Sequence, residues 1–242
     1  TPAAIKWFPP EKRGLVTGIV VMSLGAGSLF WPPLIHLLID TFGVIKTFFI
    51  WGLLLLAGIL FMSRVISEPG DSLADKEAGG PAARLELKKI ISQPVFVLLW
   101  LMMGLSCGTG LMVVGHLVQI ARINFQMEIG YLLVSFFALF NTTGRFCSGL
   151  ITDRIGYYKV MFGAFLLTFC SMLLYLGSGG LLALLPGTIL LALSYGSLYT
   201  SFPAAAAELF GLKDFGAYYG LLFTSVGIGG SLGPFLAGYL AD

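Results

Sequence analysis

Residues 205–242 read Ala205-Ala-Ala-Glu-Leu-Phe210-Gly-Leu-Lys-Asp-Phe-Gly216-Ala-Tyr-Tyr-Gly220-Leu-Leu-Phe-Thr-Ser225-Val-Gly227-Ile-Gly229-Gly-Ser-Leu-Gly-Pro234-Phe-Leu236-Ala-Gly-Tyr-Leu240-Ala-Asp242. Moved back by 202 positions, this stretch lies over residues 3–40 without a gap. Twelve of the thirty-eight columns are identical, among them Phe8/Phe210, Gly14/Gly216, Gly18/Gly220, Gly25/Gly227, Gly27/Gly229, Pro32/Pro234 and Asp40/Asp242. A chain of this bias gives about three or four by chance. Matched Gly and Pro mark where a helix packs closely and where it bends. The two segments therefore read as one element used twice. The competing explanation is that Gly-rich helices resemble each other by composition alone.

Both segments are apolar enough to cross a bilayer, which takes about 20 residues. Five more such blocks lie between them, so the spans fall at roughly 15–38, 45–66, 95–121, 129–151, 158–178, 181–202 and 217–240. The chain is 57% hydrophobic and 11% charged, against about 25% charged in soluble domains. A water-soluble fold of this length has too little polar surface to cover it. The alternating segments of about 10 residues that make a β-barrel are absent. The expected class is an all-α membrane protein with seven transmembrane helices. Its 32 glycines fit such helices, because small residues let backbones approach closely in lipid. Cys107, Cys147 and Cys170 lie inside apolar blocks with no metal-ligand or disulfide spacing, and read as small apolar residues. Residues 1–14 lack the apolar core of a signal peptide.

The basic residues sort by side. Lys6, Lys12, Arg13, Arg64, Lys76, Arg84, Lys88, Lys89, Arg154, Lys159 and Lys213 fall on one side, and Lys46 and Arg122 on the other. By the positive-inside rule the first side is cytoplasmic, with the N-terminus of the chain. The longest polar segment, 67–94, is then a cytoplasmic linker between two membrane bundles. Its end, Ala82 to Ser92, is either a solvated hinge or a short surface helix. Spans one and seven enter from the same side, six spans apart. A parallel repeat of six-helix halves places its site between the halves, near the midplane.

The motifs carry a resemblance. Gly149-Leu-Ile-Thr-Asp153-Arg154-Ile-Gly156-Tyr-Tyr-Lys159 resembles the loop signature of the major facilitator superfamily. Within it, five further stretches look like the oxalate/formate antiporter family: Lys6-Trp-Phe-Pro-Pro-Glu-Lys-Arg-Gly-Leu15, Gly110-Leu-Met-Val-Val-Gly-His116, Phe140-Asn-Thr-Thr-Gly-Arg145, Ser194-Tyr195-Gly-Ser-Leu-Tyr199-Thr-Ser-Phe-Pro203 and Tyr219-Gly-Leu-Leu-Phe223. The resemblance implies a twelve-helix bundle. Residues 1–66 are then the end of the first half (helices five and six), 67–94 the linker, and 95–242 helices seven to eleven, with the twelfth absent. It implies secondary transport of small organic anions by alternating access and exchange, with a proton-coupled monocarboxylate symporter as the nearest rival. The partners are a small carboxylate anion and the lipid bilayer, with no nucleic acid. The place is a bacterial inner membrane, as a multi-pass monomer.

Arg145 is the basic residue inside a span. Eight residues separate it from Asp153, about 12 Å of helix, which puts it near the midplane. An Arg there costs at least about 2.5–3.5 kcal/mol and usually faces water or a partner. A guanidinium binds a carboxylate through two parallel hydrogen bonds, and the resemblance gives this arginine that role. Snorkelling to the interface is the alternative. Tyr195 and Tyr199 share one helix face; the resemblance makes them walls of the substrate site, and ordinary packing is the plainer reading. His116 is a candidate for proton coupling or an interfacial packing residue. Gly149, Asp153, Arg154, Gly156 and Lys159 are assigned to gating: Asp153 can pair with Arg154 or Lys159, or face a neighbouring helix N-terminus. Where the family's oxalate carriers have a second lysine, seven residues after Tyr219, this chain has Val226. One cation suits a monoanion such as formate or lactate better than oxalate. Asn141-Thr-Thr143 fits the glycosylation pattern but lies inside a span, where it is a false match. No nucleophile–base pair, intramembrane aspartate pair or metal-ligand cluster appears, so neither an enzyme nor a cofactor is expected.

Overall fold

Backbone polar groups in lipid must be satisfied inside the chain, which leaves helices as the form for such blocks. The computed structural model describes residues 8, 12–65, 89, 91–125, 131–177, 181–211 and 215–241. Within them lie α1 (Arg13–Phe42), α2 (Val44–Val65), α3 (Pro94–Phe125), α4 (Tyr131–Ile155), α5 (Tyr157–Leu176), α6 (Leu181–Phe210) and α7 (Phe215–Ala241). Each expected span falls within one of these helices or overlaps it closely. Among the described residues there is no strand. Five helices are long and apolar enough to cross a membrane by the stretches Val44–Arg64, Pro94–Ile120, Tyr157–Leu176, Ala183–Phe210 and Phe215–Tyr239. Most of the 67–94 linker, with its possible surface helix, lies outside the described residues. Pro94 opens α3, where a residue without an N–H costs no helical bond.

Two corners are single glycines. Gly43 (φ 76°) joins α1 to α2 and Gly156 (φ 84°) joins α4 to α5. Both are left-handed positions that a Cβ disfavours. The loop signature thus contains the residue that lets α5 fold back directly after α4.

The packing is by glycine and by short polar bonds. α3 and α7 run parallel in intimate contact: a Cβ on Gly108 would lie 3.0 Å from the Gly229 carbonyl oxygen, and one on Gly229 or Gly233 would overlap the carbonyl of Gly104 or Gly108. Trp100 Nε1 donates to Thr224 Oγ1 across the same pair at 3.0 Å. α4 lies against α6 in the same manner, through Gly144 on Leu193 and Gly196 on the Asn141 carbonyl. α5 joins α6 through Ser194 Oγ, which donates to the Ala164 carbonyl at 2.7 Å. α1 packs antiparallel on α4, with Gly18 against Gly149 and the Arg145 carbonyl. This last contact joins helices that lie on either side of residues 67–94 in sequence. The outer faces stay apolar, as with Ile45, Phe48, Phe49 and Phe162.

The repeat is used unequally. Gly18 packs on α4 and Gly229 on α3, whereas a Cβ on Gly216, Gly220 or Gly227 meets nothing within 4 Å in this chain.

Candidate anion site between the halves

α4 buries four polar side chains, Asn141, Arg145, Ser148 and Thr152. Among the described residues Arg145 is the one charged side chain that is buried, with 6% of its surface exposed. It does not reach lipid. Nε donates to Asn141 Oδ1, one turn earlier, at 2.8 Å. Nη1 donates to the Val21 main-chain carbonyl of α1, also at 2.8 Å. The guanidinium carbon lies 4.8 Å from the centroid of the Tyr199 ring, within range of a cation–π attraction. Nη2 makes no hydrogen bond among the described residues. The acids described, Asp40, Asp153 and Glu208, all lie near helix ends. The cation is thus held by neutral groups, with donors left over.

Close helix packing holds this geometry. Gly196 lets α6 reach the backbone of Asn141 and Arg145. Thr200 Oγ1 donates to the Arg145 carbonyl at 3.1 Å, which places Tyr199 beside the guanidinium. Tyr195 and Tyr199 come together, their rings edge to face at 5.0 Å, with Tyr195 Oη donating to Tyr199 Oη at 3.3 Å. Gly110 of α3 gives Tyr195 its space, since a Cβ there would collide with the ring. Phe137, Phe223 and Tyr219 extend the aromatic wall. Val226 packs against the buried cluster that includes Tyr195 and Cys107.

Three groups absent from the expectation belong here. Asn141, passed over as a false glycosylation match, holds Arg145; its signal was an amide one turn before a buried cation. The Val21 carbonyl is main chain and leaves no trace in side-chain patterns. Cys107, read as apolar filler, directs its thiol to Tyr199 Oη at 3.4 Å.

The residues assigned to gating by the resemblance lie at the other end of the α1–α4 contact. Asp153 Oδ2 accepts from the Leu15 N–H in the first turn of α1 at 2.8 Å. Of the contacts open to Asp153, this is the helix N-terminus, where free N–H groups and the helix dipole favour a carboxylate. Gly149 packs on Gly18 and Gly156 turns the chain. Arg154 and Lys159 are exposed. His116 stands apart on α3, nine residues beyond Cys107, its Nδ1 2.9 Å from the Met112 carbonyl of its own helix. An apolar groove of about 390 Å³ between α3 and α7, lined by residues such as Gly104, Met112 and Leu232, contains no charged group and none of the Arg145 cluster.

The helical bundle thus buries a cation between α1, α4 and α6 and sets a carboxylate against a helix N-terminus at one end. The sequence pattern of the Major Facilitator Superfamily matches residues 1–149 and 123–242. The chain belongs to the Major Facilitator Superfamily. This facilitator is 29% identical to the oxalate:formate antiporter of Oxalobacter formigenes, over 97% of this chain and 57% of that protein. It is 26% identical to the uncharacterized MFS-type transporter YhjX of Escherichia coli, over 93% of this chain and 56% of the relative. It is 27% identical to human monocarboxylate transporter 10, over 96% and 48% respectively. The facilitator chain thus spans about half the length of these relatives. Its relatives are transporters, and it is a multi-pass membrane protein.

Proposed function

We propose that the protein carries small monocarboxylate anions, such as formate or lactate, across a membrane by alternating access and exchange. The observation that supports this most is Arg145: buried between α1, α4 and α6 and, among the described residues, bonded to neutral groups only, with no hydrogen bond at Nη2. A guanidinium in low dielectric that lacks a carboxylate favours an anion. The aromatic wall of Tyr195 and Tyr199 suits the small planar body of such a guest. Two relatives bear names that speak of oxalate, formate and monocarboxylates.

Exchange follows from the same electrostatics. With the anion bound, the site is neutral and the halves pass through the occluded state. Empty, the bare cation resists that passage, so the return step needs another anion. His116, away from Arg145 and tied to its own helix, gives the proton-coupled reading less support. The N-terminus of the chain lies on the cytoplasmic side of a bacterial inner membrane, and a monomer suffices.

The test is uptake of labelled formate by proteoliposomes holding the product of the full open reading frame. Internal unlabelled formate should accelerate uptake several-fold, and an imposed pH gradient should not. The reverse pattern would make it a proton symporter. Uptake of labelled oxalate exceeding that of both formate and lactate would overturn the monoanion assignment.

A further inference from the structure

Asn141 uses only half of its amide. The Arg145 Nε group donates and cannot accept. The atom that meets it at 2.8 Å is therefore Oδ1, and the other end of the amide is Nδ2. Both are bonded to one carbon, so Nδ2 belongs to the same amide that holds the guanidinium. The residue is 4% exposed, and Nδ2 is buried with no hydrogen-bond partner. The hydroxyls of the same turn differ: Thr142 and Thr143 donate back to the carbonyls of Ala138 and Leu139. A hydroxyl can always return to its own helix in this manner. The amide of Asn141 cannot do so while Oδ1 holds Nε. Loose packing does not account for the orphan donor either, because Gly196 brings α6 onto the carbonyl of this residue.

The geometry points to Asn141 as a second binding residue of the anion site: Nδ2 and the free Nη2 of Arg145 together donate to the oxygens of one carboxylate, while Oδ1 fixes Nε. This rests on the carrier reading above and narrows it. The amide adds a donor without adding charge, so the site keeps a single positive charge. It takes a carboxylate monoanion, its tail toward Tyr195 and Tyr199. The guest satisfies both unpartnered donors at once.

The experiment compares Asn141→Ala, Asn141→Asp and Arg145→Gln in the full protein, by formate uptake into proteoliposomes and by thermal unfolding in detergent with and without acetate. A lost donor to a charged acceptor raises the half-saturating formate concentration about tenfold or more. Asn141→Ala should show that rise, with the maximal rate within about threefold of the unaltered protein. Asn141→Asp still accepts from Nε and should fold. It should bind no formate, because its carboxylate occupies the cation. Acetate should raise the unfolding temperature of the unaltered protein and leave that of Asn141→Asp unmoved. Wild-type half-saturation in either Asn141 variant, with uptake lost in Arg145→Gln, would overturn the role of Asn141 alone. Uptake of no monocarboxylate by the unaltered protein would overturn the carrier reading and this inference with it.

Discussion

Arg145 commits two of its nitrogens to the protein and lies against the ring of Tyr199. Nε and Nη1 fix the plane of the group through Asn141 and Val21. A carboxylate accepts from two donors, and in the reading proposed above these are Nη2 and the Asn141 amide nitrogen. Arg145→Gln should abolish exchange while the protein still inserts and purifies as a folded monomer; retained exchange would displace the binding role. Arg145→Lys is not a conservative change here. An ammonium is a point donor that cannot keep the Asn141 and Val21 bonds and still present a fork. It should weaken formate binding about tenfold or more, read as the half-saturating concentration. The central cation was legible in the sequence because a charge in an apolar block has few explanations. Tyr195 and Tyr199 were legible by their spacing of four. Asn141, Cys107 and the Val21 carbonyl were not. Uncharged polar residues and main-chain acceptors occur throughout membrane helices, and only the fold decides which of them meet.

At the level of helices, two contacts carry distinct loads. The α1–α4 pair is clamped twice, at Val21–Arg145 and at Leu15–Asp153. The second clamp is electrostatic. Asp153→Asn keeps an oxygen for the Leu15 N–H but removes the charge facing the helix N-terminus. That loss is about 0.3–2 kcal/mol, a factor of roughly 2 to 30 in the closed-to-open ratio at that end. Distances between spin labels at positions 12 and 154 should shift toward the longer population, and an unchanged distribution would remove the latch from the gating mechanism. The α3–α7 pair is held by backbone contact instead. Gly229→Ala must push the helices apart and should lower stability by about 1–3 kcal/mol, seen as a lower unfolding temperature in detergent. Gly227→Ala, whose Cβ meets nothing within 4 Å, should leave that temperature unchanged. The sequence placed the helices well because each block is apolar and bounded by charge or glycine. It could not rank the glycines. The 202-residue repeat picks Gly27/Gly229 and Gly18/Gly220 alike, yet the contacts of Gly18 and Gly229 have no counterpart at Gly220.

Across the molecule, the carrier reading proposed above ties the choice of anion to the count of charges at the site. A bound guest must leave the site close to neutral, since each uncompensated charge in low dielectric costs several kcal/mol. Among the described residues Arg145 is the one buried cation, and Val226 packs against the buried cluster that includes Tyr195 and Cys107. A monoanion neutralises this site; a dianion overfills it. Val226→Lys adds the second charge without touching Arg145 or Asn141. The variant should reverse the preference, with oxalate uptake rising relative to formate by about tenfold or more, and formate exchange falling because the site then keeps an unpaired cation. Competition of oxalate against labelled formate in the same proteoliposomes reads this ratio directly. A ratio that does not move would mean that selectivity is set by shape rather than charge, and would shift the specificity determinants from Arg145 to the Tyr195, Tyr199 and Phe223 wall.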